Sequence, residues 1–335
     1  MVSRIFQLLV LLSPICVGTN INMDMFDIQF FRTGIIALFA GALMDKPKRD
    51  MPKELRQVIF ALLGLALVNL FIHTFAPMIL HISMNLFLSI VGFCVVYICW
   101  DEKLSLKTPL LIAAGINLVF FLGQKMGFDP VWDILPYKGQ EGAFLGNQPR
   151  LMTYFALITP LLPLYLLPIS IILGIFTKQY IIFLPVIVAL ILKIKSNKIK
   201  IIIGIISLLA AIFSHRHIID SFLFRINLAW MPALKLFFDR PLIGYGLGAA
   251  VVDGVEVFGN SYLQLMMGMG LLGLFWYGYL FKTFYKHILT SSALLSLVLI
   301  MAIEYPVEIM RLGYLIIAIL ISGLIKRGAV YEKII

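Results

Sequence analysis

Apolar runs long enough to enter a membrane recur along this chain, separated by short clusters of charged residues. About 20 apolar residues cross the hydrocarbon core of a bilayer as a helix, and a helix satisfies its own backbone hydrogen bonds there. Of the 335 residues, 61% are hydrophobic and 13% are charged. Ordinary soluble domains carry about 25% charged residues. We therefore predict an all-α, polytopic membrane protein.

The apolar pattern predicts about twelve transmembrane helices in a single membrane domain, residues 1–335. The spans lie near residues 5–19, 29–45, 57–74, 77–99, 108–122, 150–164, 165–177, 179–194, 201–215, 260–281, 290–304 and 311–326. Three prolines, at positions 160, 163 and 168, interrupt the helical pattern of the sixth and seventh spans, which are therefore short. A large loop, residues 216–259, precedes the tenth span.

The distribution of lysine and arginine orients these spans, because basic residues accumulate in short cytoplasmic loops. With the N-terminus in the cytoplasm, the inner segments hold 17 of the 27 basic and 6 of the 17 acidic residues. The inner side then carries a net charge of +11 and the outer side −1. Both termini are cytoplasmic and the large loop is extracytoplasmic. Since the basic residues are spread over short loops, we expect them to contact membrane lipids and expect no nucleic-acid partner.

The longest polar interruption of the apolar pattern runs from residue 225 to residue 274. Four apolar residues recur in it at spacings of three and four: Leu228, Met231, Leu234 and Phe238. This spacing, with Pro232 in the first turn, predicts a short helix over residues 231–239 that lies at the membrane interface. Lys235 and Asp239 would form its polar edge.

Few basic residues remain on the predicted outer side, and they are candidate ligands for an anion. The planar fork of an arginine gives two parallel hydrogen bonds to a phosphate group. A charge in or beside a span also tends to face a cavity or the interface. The alternative interpretation is a side chain that only extends to the membrane surface. The ten outer residues are Arg32, Lys125, Lys138, Arg150, Lys178, Arg216, Arg225, Lys235, Arg240 and Arg311.

An ordered set of polar and glycine residues fills the loop and the start of the tenth span. It comprises Arg225, Trp230, Asp239, Arg240, Pro241, Gly244, Gly246 and Gly248, followed by Asn260, Leu263, Gln264, Gly270 and Gly273. Upstream, residues 142–154 read GAFLGNQPRLMTY. Together with the order of twelve spans, this set resembles the O-antigen ligase and O-antigen polymerase family.

The resemblance implies an inverting glycosyltransferase that uses no metal and no cofactor, on the outer face of a bacterial inner membrane. In such an enzyme, basic residues hold the diphosphate of a polyprenyl-linked glycan while a hydroxyl of a glycan, lipid or protein acceptor attacks the anomeric carbon. Arg225 matches the loop arginine of the family, and Lys178 stands at its second arginine position, without the bidentate fork. Arg240 and Arg150 are further diphosphate candidates. Residues expected to shape the site are Asp239, Gly244, Gly246, Asn260 and Gln264.

The general base is where the chain departs from this family. Gly259 stands at the position of the usual histidine, and glycine cannot accept a proton. A base within hydrogen-bond reach of the acceptor contributes about 100- to 10,000-fold. The candidates are Glu256, Asp253 as a second choice, and His217. The His-Arg pair that precedes His217 also fits a simple interfacial boundary.

Two other functions stay open on the sequence alone. A transporter or flippase of a lipid-linked glycan would fit broken helices and buried charges. A non-catalytic relative that binds or assembles the polysaccharide machinery would fit the changes at Gly259 and Lys178. The sequence does not separate a ligase from a polymerase or a protein-directed transferase, because these enzymes differ in their acceptor.

Overall fold

A computed structural model gives the structure of the chain. It describes residues 1–15, 23–72, 77–128, 143–145, 148–163, 166–177, 179–193, 201, 223–246, 251–252, 255–256, 260–302 and 312–325. These residues are almost entirely helical, as predicted. Their α-helices are α1 (Val2–Leu12), α2 (Met23–Met44), α3 (Lys53–Ile72), α4 (Pro77–Cys99), α5 (Lys107–Lys125), α6 (Gln148–Ile158), α7 (Leu167–Thr177), α8 (Phe183–Lys193), α9 (Met231–Asp239), α10 (Ser261–Thr290), α11 (Ser292–Met301) and α12 (Gly313–Leu324).

Shorter elements connect or extend these helices within the described residues. Single 3-10 turns occupy Ala143–Leu145, Thr159–Leu161 and Tyr180–Ile182, and a π-helical turn occupies Ile226–Trp230. Two strands of two residues each, β1 (Val251–Val252) and β2 (Val255–Glu256), pair antiparallel. In their register Val251 is opposite Glu256, so this pair is a minimal hairpin attached to a helical protein.

Eleven of the twelve predicted spans overlap helices among the described residues. The ninth, residues 201–215, lies almost entirely outside them. Among the residues that the structure describes, three helices are long and apolar enough to cross a membrane: Lys53–Phe71, Lys107–Lys125 and Ser261–Thr290. Shorter apolar segments of 10–17 residues are Val2–Leu12, Gln29–Met44 in α2, Met84–Cys99 in α4, Phe183–Leu192, Ser292–Met301 and Gly313–Leu324. The described chain therefore has the character of a membrane protein, while the number of crossings stays a prediction.

The chain divides into two compact units. The first comprises Met1–Met51, Val91–Ile182 and Ile309–Ile335, and the second comprises Pro52–Ile90 and Phe183–Glu308. Most of the predicted site residues, from Arg225 onward, belong to the second unit.

In the first unit, α1 packs against α2, α5 and α12. The contact of α2 with α12 is close. The Tyr314 hydroxyl donates to the Phe31 carbonyl at 2.6 Å. A Cβ atom added at Gly34 would overlap that hydroxyl. Small residues allow helix backbones to approach in this way, which is a common packing device in membrane proteins.

Charged groups fasten the loop after α2 to the loop after α4. The Lys48 ammonium lies 3.0 Å from a carboxylate oxygen of Asp101, and a guanidinium nitrogen of Arg49 lies 3.0 Å from a carboxylate oxygen of Glu102. The hydrogen bond from Lys48, followed by one from the Lys103 N–H, holds the pKa of Asp101 below its ordinary value. Both loops are on the predicted cytoplasmic side, where these acids neutralise part of the basic charge.

In the second unit, α10 lies against α3 and α11, and α11 lies against α8. Ser291 separates α10 from α11 and caps the latter, since its hydroxyl accepts from the Leu294 N–H at 3.3 Å. The Tyr262 hydroxyl donates to the Val298 carbonyl at 2.7 Å, which joins the start of α10 to α11. These contacts fix the frame on which the candidate site is built.

Candidate functional site

One uninterrupted helical stretch carries Arg225 and Asp239. Residues 223–225 are helical, the π-helical turn Ile226–Trp230 follows, and α9 continues from it. The predicted helix over residues 231–239 is confirmed. It continues from the π-helical turn, so Pro232 lies just after that turn within a longer helical stretch. Arg225 is half-exposed at the N-terminal cap of the π-helical turn. Such turns are rare and are frequent at functional sites.

Helix α9 is apolar on two opposite faces. Ala233 and Leu236 are buried against Met267 of α10. The apolar residues whose spacing predicted the helix point away from this contact, and Leu228 and Phe238 are exposed, the latter by 72%. One face therefore holds α9 to the protein, and the other is left for the surroundings, in agreement with a helix at a membrane interface.

Helix α10 reverses its direction at Gly270, where φ is 59° and ψ is −144°. Tyr262 and Phe281 are 19 residues apart, which is ~28 Å along a straight helix. Their ring centroids are nevertheless 6.1 Å apart, and the ring of Tyr277 lies 4.8 Å from that of Tyr262. The 30 residues of α10 therefore form a helical hairpin with arms at residues 261–269 and 271–290.

This reversal corrects the predicted tenth span. A straight span over residues 260–281 would put its two ends on opposite faces of the membrane, whereas Tyr262 and Phe281 lie side by side. The run is apolar and contains no proline, so its pattern is that of a continuous helix. The second arm, residues 271–290, is ~30 Å long and has the length of a crossing by itself.

Residues 241–246, called the strap below, bind the tip of this hairpin through main-chain hydrogen bonds. Three bonds join them: Leu271 N–H to the Pro241 carbonyl (2.7 Å), Tyr245 N–H to the Met267 carbonyl (3.0 Å) and Gly246 N–H to the Gly268 carbonyl (2.8 Å). Helical hydrogen bonding is interrupted at the bend, and polar main-chain groups in an apolar setting need other partners. The strap supplies them.

The glycines of this segment are required by that close approach. Gly244, Gly246 and Gly270 all have positive φ values, of 66°, 105° and 59°. A Cβ atom at Gly244 would overlap the main chain of Gly268, and one at Gly270 would lie 2.5 Å from the Pro241 carbonyl oxygen. Gly244 and Gly246 were predicted to shape a substrate site. Their positive φ values show that the backbone conformation of the strap also favours glycine at these positions.

Asp239 and Arg240 are exposed at the end of α9. The guanidinium carbon of Arg240 lies 4.6 Å from the centre of the Tyr245 ring. A cation–π contact of this kind contributes about 0.5–1 kcal/mol at an exposed site. The Arg240 carbonyl also accepts from the Gly244 N–H at 3.0 Å. Arg240 therefore stabilises the strap, and its exposure leaves its charge open to an anion.

Asn260 caps the first arm of the hairpin. Its side-chain oxygen accepts from the N–H groups of Tyr262 and Leu263, both at 3.0 Å. Gln264 is half-buried on this arm, and its N–H donates to the Asn260 carbonyl at 3.2 Å. Asparagine directly before an apolar helical run is a strong capping pattern, so the sequence could have predicted this role.

The strand pair brings the backbone of Glu256 to the helical stretch that carries Arg225. Glu256 lies on β2, and β2 lies against both the π-helical turn Ile226–Trp230 and α9. Among the candidate bases, His217, Asp253 and the empty histidine position at Gly259 lie outside the described residues, as does Lys178. Among the candidate bases, Glu256 is therefore the one whose strand lies, in the described structure, against the helical stretch that carries Arg225.

The upstream glycine-rich motif belongs to the first unit. Ala143 has a positive φ of 47°, and its N–H donates to the side-chain oxygen of Gln124 at 2.8 Å. Arg150 is half-exposed in the first turn of α6. Arg150 and Arg225 are therefore on different units of the chain.

Three features of the site were not predicted: the reversal at Gly270, the docking of the strap and the position of the Tyr245 ring beside Arg240. The first had a weak signal, because four glycines occur within one apolar run, at positions 268, 270, 273 and 278. The second joins main-chain groups far apart in sequence, and its signal in the sequence is the glycines that the close approach requires, Gly244 and Gly270.

The described residues contain no group of three or more His, Cys, Asp and Glu side chains placed to hold a metal ion. No family model matches the chain, and no curated protein or solved structure matches it. The chemistry of the site is therefore argued from its own geometry.

Proposed function

We propose that this chain is a membrane glycosyltransferase of the O-antigen ligase and polymerase type. It transfers a glycan from a polyprenyl diphosphate carrier to a hydroxyl of a glycan, lipid or protein acceptor, at the outer face of a bacterial inner membrane. The observation that carries the proposal is the setting of Arg225, half-exposed at a π-helical turn against which the strand of Glu256 packs. These neighbouring elements offer a phosphate ligand and a candidate base.

The exposed apolar face of α9 supports a lipid-linked donor. Leu228, Met231 and Phe238 are exposed on the same helical stretch that carries Arg225. An interfacial helix lies at the boundary of head groups and acyl chains. A polyprenyl chain in that bilayer would bring its diphosphate to the level of Arg225 and Arg240.

In the proposed reaction, the acceptor oxygen attacks the anomeric carbon of the donor sugar from the face opposite the diphosphate. A carbon–oxygen bond to the acceptor forms while the bond from the anomeric carbon to the phosphate oxygen breaks. The diphosphate leaves with the electron pair, and the acceptor proton passes to the base. Arg225 binds the charge that grows on the leaving oxygen, which stabilises the transition state more than the ground state.

Arg225→Ala tests the proposal directly. Wild-type protein reconstituted with a polyprenyl diphosphate oligosaccharide should transfer the glycan without added metal. Loss of one preorganised charge ligand should lower the rate about 100-fold or more. Arg225→Lys should retain part of the activity, because lysine keeps the charge without the fork. Arg56→Ala, at an exposed arginine of α3, is the matched control. Glycan transfer by Arg225→Ala protein at the wild-type rate would contradict the proposed function.

The base is tested by three separate variants. Glu256→Gln should lower the rate by about 100-fold or more if this carboxylate accepts the proton, with little change in donor binding. Asp253→Asn and His217→Ala test the other two candidates under the same conditions. If all three variants keep the wild-type rate, the acceptor proton leaves without a protein base.

A transporter or flippase is the second candidate, and the broken helix α10 is the observation that favours it. Discontinuous helices line substrate paths in many transporters. Proteoliposomes separate the two functions. A flippase moves the intact lipid-linked donor across the membrane and releases no diphosphate, whereas the transferase consumes the donor on one side. A non-catalytic assembly role predicts instead that Arg225→Ala protein restores glycan assembly in cells that lack the chain.

A further inference from the structure

Proline does not produce the bend of α10. Residues 261–290 contain no proline, and many of them are leucine, methionine and other residues that favour a helix. In a straight helix the Leu271 N–H would donate to the carbonyl of Met267, four residues before it. The glycines at positions 268, 270 and 273 weaken the helix near the bend by up to about 1 kcal/mol each but do not fix its direction, so contacts outside the arms have to hold the bend.

The strap occupies the main-chain groups that a straight helix needs. The Leu271 N–H donates to the Pro241 carbonyl at 2.7 Å, and the Met267 carbonyl accepts from the Tyr245 N–H at 3.0 Å. The strapped hairpin and the straight helix therefore compete for the same donor and the same acceptor. The Leu271 N–H and the Met267 carbonyl have a partner in each arrangement. On release, the Pro241 carbonyl and the N–H groups of Tyr245 and Gly246 exchange their α10 partners for water or lipid head groups.

Two glycines make the strapped arrangement possible. Gly244 of the strap has a φ of 66° and touches the main chain of Gly268, while Gly270 has a φ of 59° and touches the Pro241 carbonyl. An L side chain at either position would be strained by its backbone conformation and would overlap the opposite main chain. A straight helix imposes no such demand at Gly270.

We propose that the strap and α10 form a conformational switch. With the strap docked, α10 is a hairpin; with the strap released, α10 extends toward a straight helix. A straight helix of 30 residues is ~45 Å long, whereas a bilayer core is ~30 Å thick, so extension moves one end of α10 out of the core. Two arrangements of one sequence that compete for the same main-chain donor and acceptor form such a two-state element.

Release of the strap also acts on α9, because residue 241 follows this helix after a single intervening residue. The helical stretch that carries Arg225 is then no longer joined through the strap to the tip of the hairpin. Under the proposed function, on which this step alone rests, docking of the strap sets the position at which Arg225 meets the donor diphosphate.

Cross-linking within α10 tests the switch in the absence of any substrate. Tyr262→Cys and Tyr277→Cys are introduced together, in a background with Cys16, Cys94 and Cys99 replaced by serine. A short bifunctional thiol reagent should link them in the hairpin, where the tyrosine rings lie 4.8 Å apart. In a straight helix the two positions are ~22 Å apart and beyond its reach. Met266→Cys with Phe281→Cys has the same sequence separation and should link much less.

Variants of the strap then test whether it holds the bend. Gly244→Ala, and Tyr245→Pro, which deletes one strap donor, should each lower the ratio of linked to unlinked protein roughly fivefold or more. Gly278→Ala, in the same helix but with open space around the added Cβ, should match the parent. Linking is scored in the monodisperse fraction only. Equal linking in the parent and both strap variants, or no link in the parent, overturns the switch. Since no glycan donor is present, neither result bears on the proposed transfer.

Discussion

The N–H of Leu271 donates to the carbonyl oxygen of Pro241 at 2.7 Å, across 30 residues of sequence. This bond joins two parts of the pattern that suggested a glycan-transfer site, the Asp-x-Pro segment and the glycines of the next helix. Both parts therefore have a role in folding that is separate from substrate binding. The charged groups on the same frame, above all Arg225, are left to carry the chemistry that we propose.

Substitution can separate the two possible roles of Asn260, which are capping of α10 and contact with a substrate. Asn260→Ala should lower the free energy of unfolding by about 1 kcal/mol, because the N–H groups of Tyr262 and Leu263 lose their acceptor. Asn260→Ser keeps a capping oxygen and should unfold close to the wild-type midpoint in a thermal melt. If the amide also contacts the substrate, the serine variant keeps its stability and loses transfer activity. A serine variant as unstable as the alanine variant would contradict the cap.

The sequence predicted local elements of this region well and long-range ones poorly. The helix over residues 231–239 followed from apolar spacing and Pro232, both of which act within the helix itself. The reversal at Gly270 depends on the strap, which is distant in sequence and binds through main-chain atoms. When a helix is apolar on all sides, its sequence does not show which face packs against the rest of the protein. The spacing of Leu228 and Phe238 therefore predicted the helix correctly but said nothing of the buried face opposite them.

The contact of Gly34 with Tyr314 predicts a large effect from one added methyl group. Gly34→Ala should destabilise the protein by about 1–3 kcal/mol, because the new Cβ would overlap the Tyr314 hydroxyl that donates to Phe31. Gly115→Ala, on α5 with open space around the Cβ, should be neutral or more stable by up to about 1 kcal/mol. Thermal melts in one detergent compare the two variants.

A double-mutant cycle identifies the overlapping atom. Tyr314→Phe removes the hydroxyl, so Gly34→Ala should cost less in that background than in the wild type. Additive effects of the two substitutions would show that the hydroxyl is not the atom that resists the methyl group.

Acid should weaken the junction between the loops after α2 and α4. The Lys48 hydrogen bond, followed by the Lys103 N–H, holds the pKa of Asp101 below 3.8. Because folding lowers this pKa, the ionised carboxylate stabilises the folded state above the unfolded value of about 3.9. The contribution is lost as the pH falls through the folded value. We therefore expect the melting temperature of the wild type to decrease as the pH is lowered below about 4, where Asp101 becomes protonated.

Asp101→Asn should lack this part of the acid response, since its amide does not titrate. Asp50→Asn, at another exposed aspartate of the inner side, should keep the wild-type profile. Added salt should reduce the difference between wild type and Asp101→Asn at neutral pH, because exposed ion pairs are screened. Identical acid profiles for wild type and Asp101→Asn would mean that the Lys48 contact does not form.

Two adjacent phenylalanines on α9 provide a matched test of the interfacial position of this helix. Phe238 is 72% exposed, whereas Phe237 is 7% exposed against the protein. If the outer face of α9 lies in the boundary of head groups and acyl chains, a tryptophan at position 238 contacts lipid directly. In a background with the four native tryptophans replaced by phenylalanine, Phe238→Trp should be strongly quenched by brominated lipids and Phe237→Trp only weakly. Equal quenching at the two positions would mean that the exposed face of α9 does not contact the bilayer. The proposal that a lipid-linked donor reaches Arg225 along this face would then lose its support.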